Sequence, residues 1–151
     1  FLARDRGQLQ DLLEMLDAVR APHVHVLAQH YVAASQGRDL RVWVLGGRAV
    51  ACVERTAKAG GFKCNVAQGA STQAVRPEPA VLALAERTAH CLGLDIAGID
   101  LLHDGQGYLV CEANASPGFR GVEGCSATRI PEAVFAWLAE RLSARKAALP
   151  R

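Results

Sequence analysis

Two short apolar segments that carry acidic and amide side chains constrain this chain more than any other part of it. Both lie within residues 94–118, and the glycine-rich turn Gly105-Gln106-Gly107 separates them. Their length and their content of apolar and β-branched residues predict two buried strands joined as a hairpin. A carboxylate within such a strand is costly unless a partner neutralises it. The acidic residues of this hairpin therefore indicate a site.

The side chains in question are Asp100, Glu112 and Asn114. Glu112 and Asn114 are two residues apart, so they point to the same face of an extended strand. A two-residue loop at the turn would place Asp100 opposite Cys111. A three-residue loop, with Gly107 left-handed in a bulge, would place Asp100 opposite Glu112. We predict the second register, because only then do all three side chains converge.

Two carboxylates and an amide oxygen together form a hard-oxygen site. Such ligands favour Mg²⁺ or Mn²⁺ holding phosphate oxygens and do not suit zinc. The alternative interpretation is two surface carboxylates at a hairpin that bind nothing. The apolar flanks of the segments favour the metal site.

Composition excludes several other classes. The chain has 151 residues, half of them hydrophobic, which is enough for one sizeable core or two small lobes. Its net charge of +2 is too small to indicate nucleic-acid binding. The five cysteines include no C-x-x-C pair, which fits a reducing, cytoplasmic compartment. No apolar run reaches bilayer length, and no signal-peptide pattern opens the chain.

Periodicity predicts a mixture of helices and antiparallel hairpins, hence an α+β class. Besides the central hairpin, strands are predicted at residues 24–32, 40–45 and 49–53. Helices are predicted at residues 8–20, 77–93 and 130–146. The last of these carries a stripe expected to face inward, formed by Val134, Phe135, Trp137, Leu138 and Leu142.

Residues 54–69 are polar, glycine-rich and basic, which predicts a long loop. Basic side chains that could neutralise phosphate are Arg55, Lys58 and Lys63 on this segment and Arg41 and Arg120 elsewhere. Gly60-Gly61 would let the segment move as a lid over a nucleotide. The alternative interpretation is an ordinary solvated basic surface. The chain contains neither a Walker A motif nor G-x-G-x-x-G.

Four motifs, taken in order, resemble the RimK family of ATP-grasp ligases. They are D-x-R at 39–41, ERTAKAGGFKCN at 54–65, GIDLL at 98–102 and CEANASPGFRGVE at 111–123. The resemblance extends over nearly the whole chain from Val26 onward. It implies an ATP-grasp fold, with an antiparallel sheet flanked by helices and incomplete at its N-terminus. Members of the family add glutamate to the C-terminus of a small-subunit ribosomal protein or to small acceptors.

The resemblance also implies residues that bind ATP. By position these are Gln29, His30, Tyr31, Asp39, Lys63, Cys64 and Asn65. The first three overlie the family's Q-E-Y-[IV] hinge motif, whose backbone would contact adenine. Asp39 would contact the nucleotide, and the last three overlie an R-S-N segment at the phosphates. Lys63 and Cys64 replace the usual Arg and Ser, which keeps the charge and loses a guanidinium and a hydroxyl.

Metal ligands and catalytic residues follow from the same resemblance. Asp100, Glu112 and Asn114 match the family's metal ligands, which would hold two Mg²⁺ or Mn²⁺ ions. The expected catalytic residues are Arg55 and Lys63 at the transferred phosphoryl group and Arg120 at the acceptor carboxylate.

The family's phosphate-binding lysine and Gly-rich loop should precede Phe1. We therefore expect the C-terminal portion of an ATP-grasp domain, inactive alone. Residues 1–31 would end the smaller nucleotide-binding lobe, and residues 32–151 would form the larger lobe that binds metal and phosphate.

The function that the resemblance implies is an ATP-dependent carboxylate–amine ligase that works through an acyl-phosphate. Its substrates would be glutamate and a carboxylate acceptor, such as the C-terminus of a ribosomal protein. It would contact neither nucleic acid nor membrane, and a homo-oligomer is compatible with it. Three alternatives stay open: an ATP-grasp ligase of the lysine-biosynthesis or glutathione type, a nucleotide-binding module without catalysis, and a structural α+β domain with incidental carboxylates.

Overall fold

The computed structural model describes residues 1–19, 21, 23–59, 61, 64 and 69–147. It divides into two compact units, Phe1–Tyr31 and Val32–Arg151. The first unit contains helix α1, Arg6–Val19. The strand predicted at residues 24–32 is wrong, because the described residues of this stretch form neither a helix nor a strand. A strand needs a neighbour for its backbone groups, and this stretch contributes no strand to the described sheet.

The second unit is built on a five-stranded antiparallel sheet with the strand order β3-β2-β1-β4-β5. The strands are β1 Arg38–Leu45, β2 Arg48–Thr56, β3 Ser71–Ala74, β4 Ile96–His103 and β5 Tyr108–Asn114. The helices of this unit are a 3₁₀ turn Ala33–Ser35, α2 Pro79–Cys91, α3 Arg120–Glu123 and α4 Ile130–Ala147. The predicted α+β class is confirmed. None of the described helices is long and apolar enough to cross a membrane.

The β1–β2 hairpin is shorter at its turn and longer in its second strand than predicted. Gly46 and Gly47 have φ values of 57° and 79°, and Leu45 pairs with Arg48. A two-residue turn with both residues left-handed suits the twist of paired strands. Strand β2 then continues to Thr56, so Arg55 lies in a strand and not on the predicted loop.

Alternating side chains of the strands form a core on each face of the sheet. On one face, Val81 and Ala85 of α2 pack against Val42 and Ile99. On the other face, Trp43 and Val53 pack against Val122 of α3 and Ile130 of α4. The second face also carries the predicted site, since Asp39 and Arg41 alternate in step with Trp43 along β1.

Helix α4 packs against the sheet near its start and against the β1–β2 turn through Trp137, since a Cβ added to Gly46 would collide with the Trp137 indole. Its fully buried residue is Ile130, and Val134 packs beside it. The prediction that Phe135, Leu138 and Leu142 face inward is wrong, since all three are exposed, Phe135 by 72%. Ile130, Val134 and Trp137 share one helical face, whereas Phe135, Leu138 and Leu142 share the next face around the helix, which is exposed.

Candidate metal and phosphate site

The β4–β5 hairpin places the predicted acidic residues together. Asp100 pairs with Glu112, and Gly98 pairs with Asn114. Partners in an antiparallel pair point to the same face of a sheet, and Asn114 is two residues beyond Glu112. The predicted register is therefore confirmed, and all three side chains lie on one face.

The turn differs from the predicted one in its length and in its left-handed residue, although the register is the same. The loop is Asp104–Gly107, because His103 pairs with Tyr108. Gly105, with φ at 100°, is the left-handed residue, and Gly107 is not. The pairing then shifts by one residue between Asp100 and Leu101. The predicted bulge at Gly107 is wrong, and the irregularity lies beside the site.

Asp104 explains why the loop takes this shape. Its carboxylate accepts hydrogen bonds from the backbone N–H groups of Gln106 and Gly107 at 2.9 and 2.7 Å. These bonds lower the pKa of the Asp104 carboxyl, because they favour its charged form. The backbone N–H of Asp104 in turn donates to the Gly107 carbonyl at 3.1 Å. The side chain thus fixes the turn locally.

Two arginines bind Asp100 directly. Arg41, its partner on β1, donates from Nε to Oδ1 at 2.7 Å and from Nη2 to Oδ2 at 2.8 Å. Arg55 on β2 donates from Nη2 to Asp100 Oδ2 at 2.7 Å. Arg55 also makes two bonds of 2.7 Å to the Asp39 carboxylate. Asp39, Arg41, Arg55 and Asp100 form one continuous ion cluster, here called the Arg–Asp cluster.

The Arg–Asp cluster is largely removed from solvent. Asp100 is 5% exposed and Arg55 is 7% exposed. Burial raises the pKa of the Asp39 carboxyl more than the bonds from Arg55 lower it. Burial opposes the charge of Arg55, yet the hydrogen bonds of Asp39 and the charge of Asp100 outweigh it and raise the pKa of this guanidinium. Arg55 therefore stays charged.

Two cysteines lie near the cluster. Cys64 lies close enough to Asp39 for the carboxylate charge to act on its thiol. Burial and the Asp39 charge raise the pKa of Cys64 to about 11. Burial and the charge of Asp100 also raise the pKa of Cys111, the residue at the irregular pairing on β5. Both thiols are thus protonated and add no charge to the site at neutral pH.

The donor set fits a divalent cation of the Mg²⁺ type. A carboxylate has about four acceptor positions, and the two arginines use three on Asp100. Asn114 Oδ1 accepts from the Ser116 N–H at 2.9 Å and keeps a second lone pair. Glu112 is exposed. Among the described residues no group of three or more His, Cys, Asp or Glu side chains could hold a metal, so a metal site here would need the Asn114 amide as its third donor.

The remaining predicted site residues belong to other parts of the chain. Lys63 and Asn65 lie outside the described residues, as does Gly60 of the predicted lid. Gln29, His30 and Tyr31 are exposed residues of the first unit. Arg120 begins the short helix α3 and is exposed, with no described side-chain contact to the Arg–Asp cluster.

Two features of the basic segment and its neighbours were not predicted. Lys58 lies against Gly69, since a Cβ added to Gly69 would come within 2.6 Å of Lys58 Nζ. Arg41, a candidate for neutralising phosphate, also binds Asp100. The signal in the sequence was the alternation Asp39-x-Arg41, which places both on the face of the site.

Comparison with solved structures identifies the fold class. The chain is similar to the ATP-grasp ligase PsnB complexed with a phosphomimetic variant of its minimal precursor, Mg and ADP, with a TM-score of 0.57 and 26% identity over 70% of this chain and 32% of that one. PsnB complexed with the precursor peptide PsnA2 and AMPPNP gives a TM-score of 0.54 at 27% identity. This sheet and its helices therefore have the ATP-grasp fold.

The RimK-like ATP-grasp domain model matches residues 1–138, and the chain belongs to this family. It is 40% identical over 124 residues to a "Probable alpha-L-glutamate ligase" of Alkalilimnicola ehrlichii, covering 82% of the chain and 41% of the relative. It is 44% identical over 109 residues to a protein of the same name in Pectobacterium carotovorum, covering 72% and 36%. A "Ribosomal protein bS6--L-glutamate ligase" of Salmonella paratyphi B is 39% identical over 124 residues. The chain spans about two fifths of the length of these relatives.

Proposed function

We propose that this protein is an ATP-dependent carboxylate–amine ligase that adds glutamate to a protein C-terminus or to a small acceptor. The observation that carries the proposal is the placement of Asp100, Glu112 and Asn114 on one face beside two guanidinium groups. Oxygen donors next to fixed positive charge suit a metal–phosphate complex. The names of the relatives support glutamate as the added amino acid.

In this proposal, Asp100, Glu112 and Asn114 hold Mg²⁺ or Mn²⁺. The ion supplies charge neutralisation and orientation to the phosphate oxygens of ATP. Arg55 is fixed by Asp39 and Asp100 and remains charged, so it stabilises the charge that develops on the transferred phosphoryl group. Such preorganised charge contributes most where water is excluded, and Arg55 is buried.

The reaction conserves atoms and charge through two steps. A carboxylate oxygen of the acceptor attacks the γ-phosphorus of ATP, the bond to ADP breaks, and an acyl-phosphate forms. The amine of glutamate then attacks the acyl carbon, phosphate leaves, and the amine loses a proton as the amide forms. No side-chain nucleophile is needed, which agrees with protonated thiols at Cys64 and Cys111.

Other parts of the chain complete the proposal. The first unit would end the smaller nucleotide-binding lobe, with Gln29, His30 and Tyr31 at adenine. The second unit would be the larger lobe. Lys63, Cys64 and Asn65 would lie at the phosphates, and the proximity of Cys64 to Asp39 supports this. Arg120 would hold the acceptor carboxylate. The protein would work in the cytoplasm.

The test follows phosphate release by the full-length protein with Mg-ATP, a protein or peptide acceptor, and a panel of amino acids. We expect release that requires glutamate and is absent in Glu112→Gln. Release with a different amino acid would replace the glutamate assignment and retain the ligase mechanism. Nucleotide binding without release across the panel would contradict the ligase and favour a binding module.

Arg120 is tested in the same assay. If it holds the acceptor carboxylate, Arg120→Ala raises the KM for the acceptor and leaves the KM for ATP unchanged. An unchanged KM for the acceptor would contradict this role.

A further inference from the structure

Arg41 occupies most of the capacity of a predicted metal ligand. Its two bonds of 2.7 and 2.8 Å engage both oxygens of Asp100. With the third bond from Arg55, about one acceptor position of the carboxylate stays open. A cation approaching Asp100 therefore meets a carboxylate that already has a bidentate cationic partner.

The Arg–Asp cluster is also electrically balanced. It contains two carboxylates, Asp39 and Asp100, and two guanidinium groups, Arg41 and Arg55. Their charges sum to zero, so Glu112 is the remaining acidic contributor to the triad. Affinity for a divalent cation depends strongly on the number of uncompensated carboxylates. The cluster alone thus offers such a cation little net attraction.

The surroundings hold Arg41 in this position. It is the partner of Asp100 across the β1–β4 pair. A Cβ added to neighbouring Gly98 would come within 3.6 Å of Arg41 Nε and 2.7 Å of Pro117 Cβ. The missing side chain of Gly98 therefore leaves room for Pro117, and the Arg41 guanidinium lies beside Gly98 at an ordinary contact distance. Strand pairing and these neighbours together place Arg41 beside Asp100.

We propose that Arg41 competes with the divalent cation for Asp100, so that the nucleotide-free protein binds Mg²⁺ or Mn²⁺ weakly and retains the ion only together with nucleotide phosphates. The phosphates supply the missing negative charge, and their oxygens accept hydrogen bonds from arginine as well as carboxylate does. Arg41 then makes metal and nucleotide binding mutually dependent. This inference rests on the proposed function and adds a role for Arg41 to it.

The experiment measures Mn²⁺ binding to the full-length protein by electron paramagnetic resonance, with and without a non-hydrolysable ATP analogue. We expect Arg41→Met to raise the nucleotide-free Mn²⁺ affinity at least about 10-fold, because a unit charge within a few ångströms of the ion is removed. The factor by which the analogue tightens Mn²⁺ binding should shrink in this variant. Arg41→Lys keeps the charge and loses the two-pronged contact, so we expect an intermediate affinity.

Matched variants separate direct competition from other effects. Arg141→Met breaks an exposed Arg–Asp pair, with Asp95 at 2.8 Å, and should leave both affinities unchanged. Arg41→Met combined with Asp100→Asn should lose the gained affinity. A nucleotide-free affinity that is unchanged or lower in both Arg41→Met and Arg41→Lys would overturn the competition while leaving the ligase intact. If the unmodified protein bound no Mn²⁺ even with the analogue, the metal site of the proposed function would fall as well.

Discussion

Asp100 and Glu112 are partners across two strands, yet their surroundings differ sharply. Asp100 is buried and accepts three charged hydrogen bonds, whereas Glu112 is exposed. The same chemical change therefore has different consequences at the two positions. In the proposed function Asp100 would serve the fold and the site together, and Glu112 would serve the site alone.

We predict that Asp100→Asn lowers the free energy of unfolding by about 3 kcal/mol, because it leaves two guanidinium groups without their shared carboxylate. Glu112→Gln should change it by less than about 0.5 kcal/mol. Urea denaturation of the two variants measures this difference. A neutral or stabilising effect of Asp100→Asn would contradict the structural role of the Arg–Asp cluster. Loss of catalysis in Glu112→Gln is the cleaner evidence for metal binding, since its fold should be intact.

The cysteines give a second prediction at this scale, with pH as the variable. Only the thiolate reacts with iodoacetamide. At pH 8 the thiols of Cys64 and Cys52, with pKa values of about 11 and about 12, stay protonated. We therefore expect Cys91, which is exposed, to be alkylated first. The rate at Cys64 should rise about tenfold per pH unit between pH 8 and 10, because its thiolate fraction does.

Asp39→Asn tests the cause of this protection. Removing the carboxylate charge beside Cys64 lowers the pKa of the thiol, so alkylation at pH 8 should accelerate. Cys91 is the internal control, and mass spectrometry of labelled peptides reports both rates. Equal slow labelling of Cys64 in both proteins would show that access, and not charge, limits the reaction.

Among the elements, β4 and the loop after β5 meet at Gly98. A Cβ at this position would be 2.7 Å from Pro117 Cβ, closer than packed carbons allow. Gly98→Ala should therefore lower the free energy of unfolding by about 1–3 kcal/mol. It should also weaken Mn²⁺ binding, because a shift of the Pro117 loop would displace Asn114, the proposed metal ligand that precedes this loop. Gly107→Ala is the matched control, with open space around its Cβ and no left-handed φ. Similar stability of the two variants, measured by urea denaturation, would contradict the close approach.

The β4–β5 hairpin shows which features of the site could be predicted from the sequence and which could not. The pairing of Asp100 with Glu112 followed from the requirement that the polar side chains converge, and it is confirmed. The position of the irregularity did not follow. A three-residue loop with regular pairing and a four-residue loop with one extra residue at Cys111 give the same partner for Asp100. Only the Asp104 hydrogen bonds decide between them.

The binding of Arg41 and Arg55 to Asp100 could not be predicted from the sequence for another reason. Arg41 and Asp100 are 59 residues apart, and they meet because β1 lies between β2 and β4. Strand order is a non-local property that no local pattern specifies. Residues 24–32 show the same limit of local patterns. Their alternation is typical of a strand, but they contribute no strand to the described sheet. A local pattern can therefore suggest a strand, but the strand forms only where the fold supplies a neighbour for it.

At the scale of the whole molecule, burial is concentrated in the second unit. The fully buried large side chains include Ile99, Leu101 and Val42 on the central strands. Helix α1, in contrast, has no buried residue, and its apolar side chains Leu9, Leu13 and Met15 are more than 40% exposed. A stripe of this kind is typical of a helix that packs against a partner.

Hydrogen exchange of the 151-residue chain should reveal this difference directly. A 14-residue helix without buried contacts is marginal in water, so we expect the amides of α1 to exchange within about two orders of magnitude of an unstructured peptide. Amides of β1 and β4 should exchange only on global unfolding, because both strands are paired on each side and covered by α2. In the proposed function, α1 belongs to a nucleotide-binding lobe that the full-length protein completes. The amides of α1 should therefore become protected in the full-length protein, whereas those of β4 should change little. Equal exchange of α1 in the two forms would contradict the assignment of the first unit to a nucleotide-binding lobe, and it would leave the metal and phosphate site of the second unit unaffected.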